Sequence, residues 1–164
     1  MNTQIKVNSE IRRIEAPFVF TIFGASGDLA KLKIFPSLFE LAEQRRFRSD
    51  FAIIGYSRSS ITEEAFREEF AQAVRKAFEG SWDDRREGVL AEILSHVWYF
   101  QGAYDNSESF QNYAKFRDEI MAGSQKVPDK TPLQEVFYFS VPPTVFEPII
   151  EHLKIIEDDR TAMR

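Results

Sequence analysis

The stretch FGASGDLAKLKIFPSL, Phe23 to Leu38, ends an apolar run with a turn of two glycines and a serine, and an amphipathic segment follows at once. The run before it, PFVFTIF (Pro17–Phe23), is short and rich in β-branched and aromatic residues, which predicts a buried strand. The residues after it, Leu29–Phe47, carry apolar side chains at Leu29, Leu32, Leu38 and Leu41 and predict a helix. Pro36 lacks an N–H and crowds the preceding turn, so a kink or local break is expected there. Gly24, Gly27 and Ala30 therefore sit where a strand hands over to a helix.

The same alternation continues outward from that turn. FAIIGY (Phe51–Tyr56) predicts a second strand. Thr62 predicts a helix cap, with Glu63 and Glu64 in the first turn and Phe66, Phe70, Val74 and Ala77 as the apolar stripe. The polar EGSWDD breaks that helix, and a weaker one follows through Leu94. HVWYFQG is a third strand, SESFQNYAKFRDEIMA a further helix, and GSQKVPDKTP a loop. EVFYFSV is a fourth strand, and Thr144 with Glu147 forms a capping box for a last helix, TVFEPIIEHLKII. Strands alternating with helices of ten or more residues specify βαβ units. The expected fold class is α/β: a Rossmann-like, doubly wound, mostly parallel sheet in three αβα layers. Residues 1–16 read as a flexible, polar amino-terminal arm and 17–164 as one domain.

Composition narrows the function. A formal net charge of −5 argues against a nucleic-acid binder, which carries a basic footprint. The chain has no cysteine, so disulfides, thiolate catalysis and thiolate-bound metals are excluded. No histidine and carboxylate cluster has metal-ligand spacing. No run approaches the roughly 20 apolar residues of a membrane span, and the start has no signal-peptide core. A cytoplasmic location is the expectation. Arg45, Arg46 and Arg48 form a basic knot at the end of the first helix, where cations complement the helix dipole.

In parallel α/β sheets ligands bind beyond the carboxyl ends of the strands, which is where the opening turn lies. Its spacing, G-x-x-G-x-x-A, departs from the usual dinucleotide pattern G-x-G-x-x-G/A, and it lacks the G-K-[ST] ending of a P-loop. The physics is nonetheless that of a phosphate turn. Gly24 permits a tight turn, Gly27 a close backbone approach, and small Ala30 lets the helix lie on the sheet. The N–H groups of Ser26, Gly27 and Asp28 are expected to face an anion at the positive end of the helix dipole. A glycine-rich turn can also serve the fold alone; its place after the first strand favours a pyrophosphate. After the second strand a site specific for NAD has an acidic residue for the ribose hydroxyl. Here the residues are Ser57, Arg58 and Ser59, which suit a 2′-phosphate and hence NADP. The long first helix accounts for a spacing from Gly24 to Arg58 above the usual 20 or so residues.

Four stretches, GASGDLAKLKIFPSLFEL, IIGYSRS, QGAYD and VFYFSVPPTVFEPI, occur in that order between Phe18 and Leu153. Together they resemble the first domain of the glucose-6-phosphate dehydrogenase family. The resemblance implies a dinucleotide-binding fold and an enzyme of the pentose phosphate pathway. Such an enzyme oxidises the first carbon of glucose 6-phosphate and passes a hydride to NADP, usually as a dimer or tetramer. It implies cofactor contacts at Gly24, Ala25, Ser26, Gly27, Asp28, Leu29, Lys31, Arg58 and Tyr138, and places Lys33 near the substrate. One departure is Leu32, at a position usually basic in the family. A larger one is that the family's E-K-P-F-G and R-I-D-H-Y-L-G-K segments do not occur, nor does its second α+β domain. The latter segment supplies the histidine that takes the sugar's hydroxyl proton. His96 and His152 read as packing or surface residues, so no catalytic residue is assigned. The domain is read as truncated at its carboxyl end. The expectation is cofactor binding without turnover, with an incomplete sheet edge open to self-association. The alternatives are a non-catalytic NADP-binding module and an interaction remnant.

Overall fold

The computed structural model describes residues 13–14, 16–47, 50–124 and 133–162; most of the expected amino-terminal arm, Arg48 and most of the loop before the last strand lie outside these. Four strands, β1 (Phe18–Phe23), β2 (Phe51–Ser57), β3 (Val97–Gln101) and β4 (Gln134–Phe139), form one sheet in the order β3-β2-β1-β4. Every pairing is parallel, with Phe18 opposite Phe51 and Gln134, and Ile53 opposite Val97. The chain runs outward from β1 through β2 to β3, then crosses back to place β4 on the other side of β1. The direction of winding therefore reverses between β1 and β4, and in such sheets this is where the ligand crevice forms.

Two apolar cores make the three layers. On one face, α1 (Phe35–Glu43), α2 (Glu63–Ala77) and α3 (Asp84–Leu94) bury Phe35, Phe39, Phe66, Phe70 and Leu90 against Phe18, Ile22 and Ile53. On the other, α4 (Ser107–Ser124) and α5 (Phe146–Ala162) bury Phe110, Tyr113, Ile149 and Leu153 against Val19, Phe23 and Ile54. All seven residues of β2 are buried, as expected of a central parallel strand covered on both faces. Thr21 satisfies its buried hydroxyl with the Tyr113 hydroxyl, 2.7 Å away.

Helix starts follow the chemistry of their caps. The Thr62 hydroxyl accepts from the Ala65 amide at 3.1 Å, as expected, and the Asp83 carboxylate accepts from the Arg86 amide at 2.8 Å. Elsewhere the structure corrects the reading. Leu29 and Leu32 are exposed, at 49% and 65%, while Ile34, Phe35, Leu38 and Phe39 carry the buried face. The reason is a π-helical turn, Ala30–Ile34, which rotates the stripe before α1 begins. Pro36 lies inside a helical run that continues without interruption from residue 28 to residue 43, and the π-helical turn just before it, closed by the Phe35 amide on the Ala30 carbonyl, is the local break expected there. In α2 the stripe takes Ala71, and Ala77 is exposed. Thr144 lies inside a 3₁₀ turn, Pro143–Val145, and α5 starts at Phe146, later than the Thr144–Glu147 box requires.

One charge is sunk in the second core. Arg117 of α4 is 1% exposed; its Nη1 donates to Glu135 of β4 at 2.7 Å and to Glu157 of α5 at 3.0 Å, and its Nε to Asp118 at 3.1 Å. Burial opposes its charge, but these carboxylates hold the guanidinium above its ordinary pKa. Among the described residues no helix is long and apolar enough to cross a membrane, and no group of acidic residues and histidines is placed to hold a metal.

Candidate functional site at the carboxyl ends of the strands

The glycine turn leaves β1 with Gly24 in the left-handed region, φ 83°. Its amide and that of Ala25 donate to the Tyr56 carbonyl, at 2.9 and 3.3 Å, which ties the turn to the end of β2. A Cβ on Gly24 would lie 2.2 Å from the Ser140 carbonyl oxygen and 2.7 Å from Val141, just beyond β4. Glycine is required here twice, by its backbone angle and by the approach of β4 across the switch point. Gly27 differs. It is exposed, has no left-handed angle, and a Cβ would meet the Gly24 oxygen at 3.3 Å.

The expected row of three free amides is corrected to two. The Gly27 N–H donates back to the Gly24 carbonyl at 3.0 Å, closing the turn, while the Ser26 and Asp28 amides have no backbone acceptor among the described residues. The first helical hydrogen bond, from the Lys31 amide to the Gly27 carbonyl, is 3.3 Å long. Two donors at the start of a helix suit an anionic oxygen.

The loop after β2 is brought to this turn. The hydroxyls of Ser26 and Ser59 are 3.0 Å apart. Ser59 is held by a closed ring of hydrogen bonds. Its amide donates to Ser57 Oγ at 3.2 Å, the Ser57 and Tyr99 hydroxyls meet at 2.7 Å, and Tyr99 donates to the Ser59 carbonyl at 2.5 Å. Because Tyr99 has one proton to give, Ser57 is the donor between the two hydroxyls. Arg58, between these serines, is exposed, and its guanidinium carbon lies 5.5 Å from the centre of the Tyr104 ring. That cation–π contact and the ring hold the arginine at the carboxyl end of β2 while its charge stays accessible.

Tyr104 belongs to the QGAYD stretch, from which the sequence reading names no site residue. It is 7% exposed and packs against Tyr56 and Phe23, with ring centres at 5.8 and 6.5 Å. Burial raises its pKa, partly offset by Arg58 and by a hydrogen bond with the Gly24 backbone. One ring thus touches both halves of the site. Gly102 fits this loop under Tyr56, whose hydroxyl a Cβ there would meet, and Tyr56 donates to the Ala103 carbonyl at 2.6 Å. The G-A-Y spacing after a strand was the available signal.

The remaining expected residues are not gathered as closely. Asp28, Leu29 and Lys33 are exposed at the head of the first helix. Lys31 pairs with Glu69 of α2 at 3.1 Å. Tyr138 sits opposite Ile22 on β4 and stacks on Phe20, ring centres 6.3 Å apart, with 36% of its surface exposed. Both histidines are accounted for by packing. His96 Nδ1 is 2.9 Å from the Phe51 carbonyl with its ring stacked on Phe51, and His152 Nδ1 is 2.7 Å from the Pro148 carbonyl with its ring on Phe110.

Known proteins of this architecture agree. The family described as "Glucose-6-phosphate dehydrogenase, NAD binding domain" matches residues 21–163. Glucose-6-phosphate 1-dehydrogenase of Hanseniaspora uvarum is 35% identical over 147 residues, covering 87% of this chain and 28% of the relative. That of Kluyveromyces lactis is 38% identical over 136 residues, covering 83% and 26%. A solved structure of glucose-6-phosphate dehydrogenase in complex with its substrate glucose-6-phosphate is 36% identical, with a TM-score of 0.73, over 87% of this chain and 28% of that one. The chain thus spans little more than a quarter of the proteins it matches. With its parallel sheet, switch-point crevice and glycine turn, it belongs to the family of glucose-6-phosphate dehydrogenase NAD-binding domains.

Proposed function

We propose that this chain binds NADP in preference to NAD, as the dinucleotide-binding part of a cytoplasmic glucose-6-phosphate dehydrogenase of the pentose phosphate pathway. The observation that carries the reading is the 3.0 Å contact between Ser26 and Ser59, which joins the glycine turn to the loop bearing Arg58. In this reading the amides of Ser26 and Asp28, with the bare backbone of Gly24, Ala25 and Gly27, receive the pyrophosphate. Arg58 and Ser59 receive the 2′-phosphate, with Tyr104 beneath the guanidinium. Leu29, Lys31 and Tyr138 lie farther along the cofactor, and Lys33 faces the side where glucose 6-phosphate enters. When bound, NADP supplies the hydride acceptor at the sugar's first carbon.

In this reading the described residues bind and orient, and neither histidine is placed at the cofactor site to act as a base. Hydride transfer from an alcohol needs a group to take the hydroxyl proton; His96 lies just before β3, at the end of the sheet opposite the glycine turn, and the His152 ring is stacked on Phe110 in the second core. The chain by itself therefore binds cofactor without turnover. Calorimetric titration tests the cofactor choice. Arg58→Ala weakens NADP roughly tenfold or more, since a charge-assisted contact is worth about 1.5–3 kcal/mol, and leaves NAD nearly unchanged. Equal losses for both cofactors refute the assignment. Absorbance of NADPH under saturating sugar phosphate checks the second point: the expected rate is background, and turnover abolished by Lys33→Ala would place a working site within these residues.

A further inference from the structure

A second cavity, of about 360 Å³, opens at the amino-terminal ends of the strands, away from the glycine turn. Phe47, Phe51 and Val89 give it apolar walls, and Arg13, Arg45 and Glu92 line it with charge. Its volume is at the small end of the range for small-molecule sites. None of the residues assigned above to the dinucleotide lines it.

Arg45 is the informative residue. Helix α1 ends in a Schellman arrangement, with the Arg46 amide donating to the Leu41 carbonyl and the Arg45 amide to the Ala42 carbonyl, both at 2.9 Å. The position of Arg45 in that motif is left-handed, φ 56°, and glycine is the residue that adopts it without strain. An arginine stands there against local preference, and its side chain lines the cavity. Among the described residues neither Arg13 nor Arg45 has a carboxylate within ion-pair distance. Arg13 reaches the Phe47 carbonyl, 3.4 Å away. Two guanidinium groups and the Glu92 carboxylate leave the cavity one net positive charge.

We propose that this cavity binds a small organic monoanion, a carboxylate on a short apolar body, with Arg45 and Arg13 as its anion contacts. Guanidinium matches a planar carboxylate in a two-point geometry, whereas a phosphate monoester brings nearly two charges at neutral pH to a site that balances one. The apolar walls take the body of the ligand.

The test is a titration of the 164-residue chain with benzoate, read by NMR on the arginine Nε–H and Phe51 resonances, beside inorganic phosphate and benzyl alcohol. Benzoate is expected to shift Arg13, Arg45 and Phe51 saturably while Gly27 stays unmoved; phosphate and the neutral alcohol bind more weakly. Arg45→Gly separates the site from the fold. It relieves the left-handed strain and is expected to raise Tm by about 2–4 °C, while benzoate affinity falls roughly tenfold or more. Arg13→Ala is expected to weaken benzoate without moving Tm. A dissociation constant above about 10 mM, phosphate or benzyl alcohol binding as well as benzoate, shifts centred on Gly27, or unchanged affinity in Arg45→Gly each overturns the proposal.

Discussion

Gly24 and Gly27 look alike in the sequence, yet they answer to different physics. Gly24 combines a φ of 83° with a neighbouring carbonyl oxygen 2.2 Å from where a Cβ would be. Gly24→Ala must therefore displace the end of β4, and an urea titration should show a loss of about 3 kcal/mol or more. Gly27 has an ordinary backbone angle and one 3.3 Å contact, so Gly27→Val should cost little stability. On the proposed function the branched side chain stands in the path of the pyrophosphate, and dinucleotide binding by calorimetry is expected to vanish. A folded Gly27→Val variant that binds NADP normally would count against a phosphate site in this turn. Lys31 and Lys33 carry a similar lesson: two residues apart, one is tied to Glu69 and the other is exposed.

Among the elements, the helices of the first layer are clipped to one another by charge as well as by aromatic packing. Glu43, at the end of α1, accepts from Arg86 of α3 at 2.9 Å and also from Arg85. The Arg86 hydrogen bond, opposed by burial and helped by Arg85, holds the Glu43 carboxyl below its ordinary pKa. The sign follows from linkage. A depressed carboxylate contributes stability that is fully present above its unfolded pKa and is lost as pH falls through the lower folded value. Wild type should thus exceed Glu43→Gln in urea midpoint near pH 7, and the difference should close as the pH falls below the ordinary carboxylate range. A gap that is constant across this range would mean that Glu43 acts through packing alone. The π-helical turn before α1 is the other decision made at this scale, because it turns Leu29 and Leu32 outward and Ile34 and Phe35 inward.

For the whole molecule, β4 is the consequential strand. It pairs with β1 on one side and with no strand among the described residues on the other. Val136 and Tyr138 are 42% and 36% exposed on one of its faces. An unpaired edge beside exposed apolar side chains is a template for another strand. Self-association is the expected result, seen as concentration-dependent mass in sedimentation at about 100 µM. Val136→Lys, a charge on that strand, should return the chain to monomer. A wild-type chain that stays monomeric throughout would show that the edge is protected.

The sequence by itself determined the alternation of strands and helices, the parallel sheet and the place of the glycine turn. These rest on local regularities: apolar period, cap residues such as Thr62, and short β-branched runs bounded by polar turns. It also placed a cation, Arg58, directly after β2, and the proposed cofactor choice rests on that residue. Tertiary structure alone decided which of these residues meet. The closing of Gly27 onto Gly24, the seat of Arg58 on Tyr104, the diversion of Lys31 to Glu69 and the aim of Arg45 into its cavity depend on contacts between elements, or on one backbone angle. Periodicity cannot register a π turn, which adds a residue to a single turn and shifts every later side chain around the helix. It fixes which face of an element is apolar, but packing fixes what that face, and the polar groups at its ends, finally touch.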